Sequence, residues 1–118
     1  MPGQSIDRLA STRTIDLTTF GRRTGRPRRI EIWWFHVDSR FIITGTPGRR
    51  DWLANIRSNP RVVIHTNGLE IGATAEEIED ESFRRRFFTR PETRWYESQS
   101  QLEDLVTHAP MIEVHLDT

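Results

Sequence analysis

Three clusters of residues have types and spacing that could do chemistry. Gly21-Arg22-Arg23-Thr24-Gly25-Arg26-Pro27-Arg28-Arg29 packs five arginines into one turn that carries two glycines. Glycine permits close backbone approach and unusual dihedral angles, so amides can join guanidinium groups around an oxyanion. Five like charges in one turn repel each other without a counter-anion. That favours an anion site over the alternative, a solvated hairpin tip. The second cluster, Gly45-Thr46-Pro47-Gly48-Arg49-Arg50-Asp51-Trp52, leads from a strand through a glycine-bearing loop to a helix start. Free amides and the dipole at a helix N-terminus attract anions. It lacks the lysine and spacing of a Walker loop, and a plain strand–helix connector reads equally well. The third cluster is Arg94-Trp95-Tyr96, with the chain's one tyrosine. Tyr96 either caps a flat ring or donates to a substrate oxygen, or it packs against the barrel. Trp95 reads as packing.

Other chemistries lack support. The chain has no cysteine, which excludes disulfides, zinc–thiolate sites and cysteine nucleophiles. The four histidines show no ligand spacing, so no metal site is expected. No order of Ser, His and Asp points to hydrolysis. The run Glu76, Glu77, Glu79, Asp80 and Glu81 reads as a solvated face.

Charge is unevenly placed. All 17 basic residues are arginine, and the formal net charge is zero. Residues 13–61 carry +7 and residues 62–118 carry −7. The balance therefore implies an anion-binding front half rather than a surface that coats nucleic acid. Thr24-Gly25-Arg26-Pro27-Arg28-Arg29 does contain the Gly-Arg-Pro core of minor-groove binders. Such motifs sit in disordered tails, whereas this one joins two strands, so no nucleic-acid partner is expected. No apolar run reaches the ~20 residues of a membrane span. Met1 to Arg13 is polar and lacks a signal-peptide core, so a flexible N-terminal segment 1–13 and a cytoplasmic location are expected.

The elements that must position these clusters read as β-β-β-α-β-β-α-α-β. Strands are expected at Thr14–Phe20, 28–37, 41–46, Arg61–Thr66, 69–78 and Met111–Leu116. In 28–37, Ile30, Ile32 and Trp34 take one face and Trp33, Phe35 and Val37 the other, which predicts burial on both sides. Asp51 is the expected N-cap of a short helix carrying Trp52, Leu53 and Ile56, ended by Asn59-Pro60. Asn67-Gly68 signals a hairpin. Asp80 or Ser82 starts a helix with Phe83, Phe87 and Phe88. Residues 94–108 read as one helix with Trp95, Leu102, Leu105 and Val106 on its apolar side. The fold class expected is mainly β (α+β): one domain over 1–118, a six-stranded antiparallel barrel with a short helix after the third strand and two helices before the last. A small core favours burial against a second copy, so a homodimer is expected.

Leu17-Thr18-Thr19-Phe20 with the arginine turn, the Trp33-Trp34-Phe35 strand, Thr44-Gly45-Thr46-Pro47-Gly48, and the helix from Asp51-Trp52-Leu53 to Asn59-Pro60-Arg61-Val62 carry a resemblance. Together they resemble the deazaflavin-dependent nitroreductase family, over residues 14 to about 66 closely and more loosely beyond. The resemblance implies a split β-barrel of the pyridoxamine phosphate oxidase type that binds coenzyme F-420. It implies hydride transfer to a small substrate such as a quinone, nitroaromatic or enone. Carried over, Arg22, Arg23 and Arg28 would hold the coenzyme's phosphate. Thr46, Pro47, Gly48 and Arg49 would lie along its ring, Asp51 and Trp52 would close the site, and Tyr96 would be the catalytic group on the substrate side. A hydride carrier does its own chemistry, which agrees with the absence of an evident protein nucleophile. Related split barrels bind FMN, heme or fatty acids, so a barrel holding FMN or another ligand, or one without turnover, is the alternative.

Overall fold

A computed structural model describes residues 13–117. Of the N-terminal segment expected to be flexible, residues 1–12 lie outside the described residues. The sequence folds into seven strands: β1 (Thr14–Phe20), β2 (Pro27–Trp33), β3 (Phe35–Val37), β4 (Arg40–Thr44), β5 (Arg61–Thr66), β6 (Leu69–Glu77) and β7 (Met111–Leu116). All neighbouring pairs are antiparallel, in the order β2-β1-β5-β6-β7-β4-β3. Helices α1 (Asp51–Ser58), α2 (Glu81–Phe88) and α3 (Leu102–His108) and a 3-10 turn at Arg94–Ser98 complete it.

The expected strand 28–37 is interrupted at Trp34, which accounts for seven strands rather than six. β2 and β3 lie at opposite edges of the sheet order, so the chain must step across the seam between them. Trp34 makes that step: its side chain is buried in the barrel and its amide donates to the Arg13 carbonyl at 3.3 Å. β2 comes into contact with β4, and the curled sheet closes into a half-barrel.

The edge position also overturns the expectation that 28–37 is buried on both faces. Ile30 and Ile32 pair with Leu17 and Ile15, but only Ile32 packs against the core; Ile30 is 36% exposed, and Trp33 on the opposite face 43%. The strand covered on both faces is β4. Phe41 and Ile43 enter the barrel, while Ile42 lies under the helices.

Apolar alternation builds two cores on the two sides of β4 and β7. Ile15, Leu17, Phe41, Ile43, Ile64, Ile112 and Val114 fill the barrel with Trp52, Leu53 and Ile56 of α1. Phe83, Phe87 and Phe88 of α2 pack with Tyr96, Leu105 and Met111. The hairpin turn Asn67-Gly68 has φ values of 50° and 76°, as the sharp type I′ turn demands. Asp80, the first of the two expected starts, caps α2 by accepting from the Ser82 amide at 3.0 Å.

Residues 94–108 do not form one helix. In a single helix Trp95 and Leu102 would share a face. Instead the chain makes a 3-10 turn and starts again at Leu102. The Thr93 hydroxyl, buried ahead of the turn, donates to the Phe87 carbonyl and ties the turn to α2. Tyr96 consequently points inward and Trp95 outward, 43% exposed, which corrects the expectation that Trp95 packs on the apolar side.

Candidate functional site

The arginine turn is a closed loop. The Gly21 amide donates to the Arg26 carbonyl and the Gly25 amide to the Gly21 carbonyl, each at 2.8 Å. Gly25 takes φ = 73°, where a side chain is strained. The loop leans on α1 through Arg22. Its amide and its Nη1 donate to Asn55 Oδ1 at 3.2 and 3.0 Å, and Asn55 Nδ2 donates to Thr19 Oγ1 at 3.1 Å. Arg22 Nη2 lies 3.7 Å from Asp51.

Between the turn, β2 and α1 lies a cleft of about 820 Å³. Arg22, Arg23, Arg28, Arg29, Asp51 and Trp52 line it. Arg29 is neutralised by Asp16 at 2.7 Å. Arg23 and Arg28 have no ion-pair partner among the described residues, and the one carboxylate near Arg22, Asp51, is 93% exposed at the rim. The cleft therefore carries uncompensated positive charge on planar, fork-shaped donors, suited to a phosphate or carboxylates.

Five of the expected site residues thus meet in one place. Gly48 and Arg49 line a second cleft of about 750 Å³, on the α3 side of α1, with Arg50, Arg57, Glu77 and Arg84. Thr46 and Pro47 are half-buried in the connecting loop and line neither cleft. Tyr96 sits 4% exposed in the aromatic cluster. Its ring stacks on Trp95 at 3.9 Å between centroids and meets Phe88 edge-on at 5.5 Å. Burial pushes the Tyr96 hydroxyl up to about 12, against a smaller opposing pull from the Arg50 charge.

Asp51 does not cap α1. It is the first helical residue, and Arg50 occupies the cap position with no side-chain bond to the helix amides. The turn ahead of α1 is organised by the Arg50 guanidinium, which donates to the Thr46 carbonyl at 2.8 Å and the Arg49 carbonyl at 3.2 Å. A Cβ at Gly45 or Gly48 would come within 3.0 Å of that guanidinium, so the two glycines make room for it.

Sequence reasoning missed Asn55 and Arg50. Asn55 had a signal: it stands three residues after Trp52, on the apolar face of α1, where a polar side chain needs a partner. Arg50 had none, since nothing in Arg49-Arg50 distinguishes the inward from the outward arginine. Among the described residues one grouping of possible metal ligands occurs, Glu76, Glu113 and His115 on β6 and β7. It lies outside both clefts, and Glu113 already accepts from Arg40 at 2.8 and 3.0 Å.

Comparison with known proteins bears on the fold and the family. The fold is shared with several solved structures. An F-420-H2-dependent reductase is 18% identical, with 87% of this chain and 94% of that one covered and a TM-score of 0.64. A provisionally assigned pyridoxamine 5'-phosphate oxidase from Listeria innocua is 16% identical, covering 96% and 90%, with a TM-score of 0.70. The heme storage protein HutZ from Vibrio cholerae is 16% identical, covering 96% and 88%, with a TM-score of 0.66. These establish a split β-barrel. The family model described as F-420H(2)-dependent quinone reductase matches residues 2–110. The chain therefore belongs to the F-420H(2)-dependent quinone reductase family, as an enzyme whose cofactor is coenzyme F-420.

Proposed function

We propose that this reductase passes a hydride from reduced F-420 to a small, flat, electron-poor acceptor: a quinone, a nitroaromatic or an activated enone. The observation that carries the reading is the pair of uncompensated guanidinium groups, Arg23 and Arg28, beside Arg22 in the α1 cleft. A phosphate and a carboxylate-bearing tail fit that donor set. When bound, the coenzyme supplies the hydride.

The chain's own residues bind, orient and hold protons. Arg22, Arg23 and Arg28 would hold the phosphate. Thr46, Pro47, Gly48 and Arg49 would lie along the ring, on a loop that Arg50 braces from within. Asp51 and Trp52 close the cleft at the start of α1. Reduction of a quinone also requires a proton, and Tyr96, the chain's one phenol, is the group we assign to supply or orient it.

A cytoplasmic homodimer is the form we propose. Trp33 and Trp95 touch edge-on at 5.7 Å and are both 43% exposed, an apolar face a second copy can cover.

Titration of the purified protein with F-420, with FMN and heme as parallel ligands, tests the reading. Arg22→Ala or Arg28→Ala is expected to weaken F-420 binding by about 1.5–3 kcal/mol, the worth of a hydrogen bond to a charged group. Unchanged affinity in both variants would remove the phosphate assignment. Tighter binding of FMN or heme would keep the fold and change the chemistry.

A further inference from the structure

We infer that Asn55 is a positioning residue for coenzyme binding, acting through Arg22. This rests on the assignment of the coenzyme's phosphate to the arginine turn. Asn55 is 3% exposed in the middle of α1, next in sequence to the core residue Ile56, and it borders the arginine cleft. A buried amide without partners is costly, so its bonds indicate what it is for.

Those bonds admit one orientation. The Arg22 amide and Nη1 are both donors, so the group facing them must be the carbonyl oxygen of the side chain. The NH2 then faces Thr19 Oγ1 on β1, at 3.1 Å. The hydroxyl fixes the amide, the amide fixes both the backbone and the guanidinium of Arg22, and Arg22 fixes the turn against α1. Asp51, one helical turn earlier on the same face, meets Arg22 only at 3.7 Å and from a fully hydrated rim. The buried contact is the one that sets geometry.

The consequence for binding is pre-organisation. Arg22 has five N–H donors, and Asn55 takes one on Nη1. The others are left on a guanidinium whose plane is already fixed. An arginine on a free turn must lose its side-chain freedom when it meets the anion, a cost that Asn55 removes in advance. Asn55 itself is turned toward Thr19 and Arg22, and it need not touch the coenzyme to act.

Two measurements on Arg22→Ala, Asn55→Ala and the double variant test this. The first is hydrogen exchange of the Arg22 amide in the coenzyme-free protein. Asn55→Ala is expected to lose protection at that amide while the β1 amides keep theirs. The second is F-420 affinity. Asn55→Ala is expected to weaken it about tenfold. The double variant is expected to be no weaker than the weaker single one, since the two residues act as one unit. If Asn55→Ala proves too unstable, Thr19→Val, which frees the amide but keeps it, is expected to weaken binding about threefold.

Losses that multiply in the double variant would overturn the inference, because Asn55 would then act independently of Arg22. So would full affinity in Asn55→Ala or Thr19→Val once Arg22 protection is lost. Retained Arg22 protection in Asn55→Ala would overturn the positioning itself. Unchanged affinity in Arg22→Ala would instead overturn the phosphate assignment, and the coenzyme role of Asn55 with it.

Discussion

Tyr96 is the one phenol in a chain without lysine or cysteine. Between about pH 10 and 12 the remaining side chains are already ionised or, for arginine, not yet titrating. An ultraviolet titration of the folded protein therefore reads Tyr96 alone, and its midpoint is expected near pH 12 rather than 10. The folded state holds this proton more tightly than the unfolded chain. Its stabilising share is complete below pH 10 and is lost as pH rises to 12, about 2–3 kcal/mol over that window. Tyr96→Phe should abolish the extra alkaline loss. A midpoint near 10 would show a hydrated phenol rather than one buried in the aromatic cluster. In turnover, Tyr96→Phe should lower kcat with little change in coenzyme affinity, because no part of Tyr96 lines the arginine cleft.

At the scale of elements, Arg84 explains how α2, α3 and the stretch after β6 hold together. It is 6% exposed in α2, and its guanidinium donates to the carbonyls of Val106, Ile78, Leu105 and Ala109. It thereby joins the end of α3 to the stretch after β6. Burial lowers its pKa, partly offset by Glu77 and Glu79, and it remains a cation. Arg84→Met keeps the apolar stem but strips the carbonyls of their donor. Chemical denaturation should show a loss of about 3 kcal/mol. Arg84→Lys should recover only part, since a point ammonium cannot span the same fork. Equal stability of all three would mean that water replaces the guanidinium without cost.

At the scale of the whole molecule, β2 ends the strand order and carries the exposed Trp33, with the exposed Trp95 beside it. If a second copy covers this face, sedimentation should give a dimer, and Trp33→Glu should shift it to monomer with the barrel intact. A wild-type monomer at tens of micromolar would remove the homodimer and leave the tryptophans as a solvent-facing pair. The sequence's charge division also becomes spatial. The arginine turn lines one cleft beside α1, while Gly48, Arg49 and Arg50 of the same positive half line a second cleft on the α3 side of that helix, so the +7 segment is divided between two surfaces.

The sequence by itself determined the strand count to within one, the hairpins, the three helical regions and the crowding of arginines in one turn. Those features are local: alternation, turn residues and like charges crowded within nine positions decide them. It also determined the family, through short runs around the turn and α1. Only the tertiary structure decided which residues of each run face one another. Residues 28–37 carry apolar side chains on both faces, and only their place at the sheet edge leaves Trp33 outside. Residues 94–108 have a helical spacing, and only the tie from Thr93 to α2 turns Tyr96 in and Trp95 out. Asn55 and Arg22 stand 33 positions apart, and their bond exists because β1 and α1 are packed together. Local patterns fix elements because backbone geometry is local; partners across the fold are chosen by packing, which no short run of sequence contains.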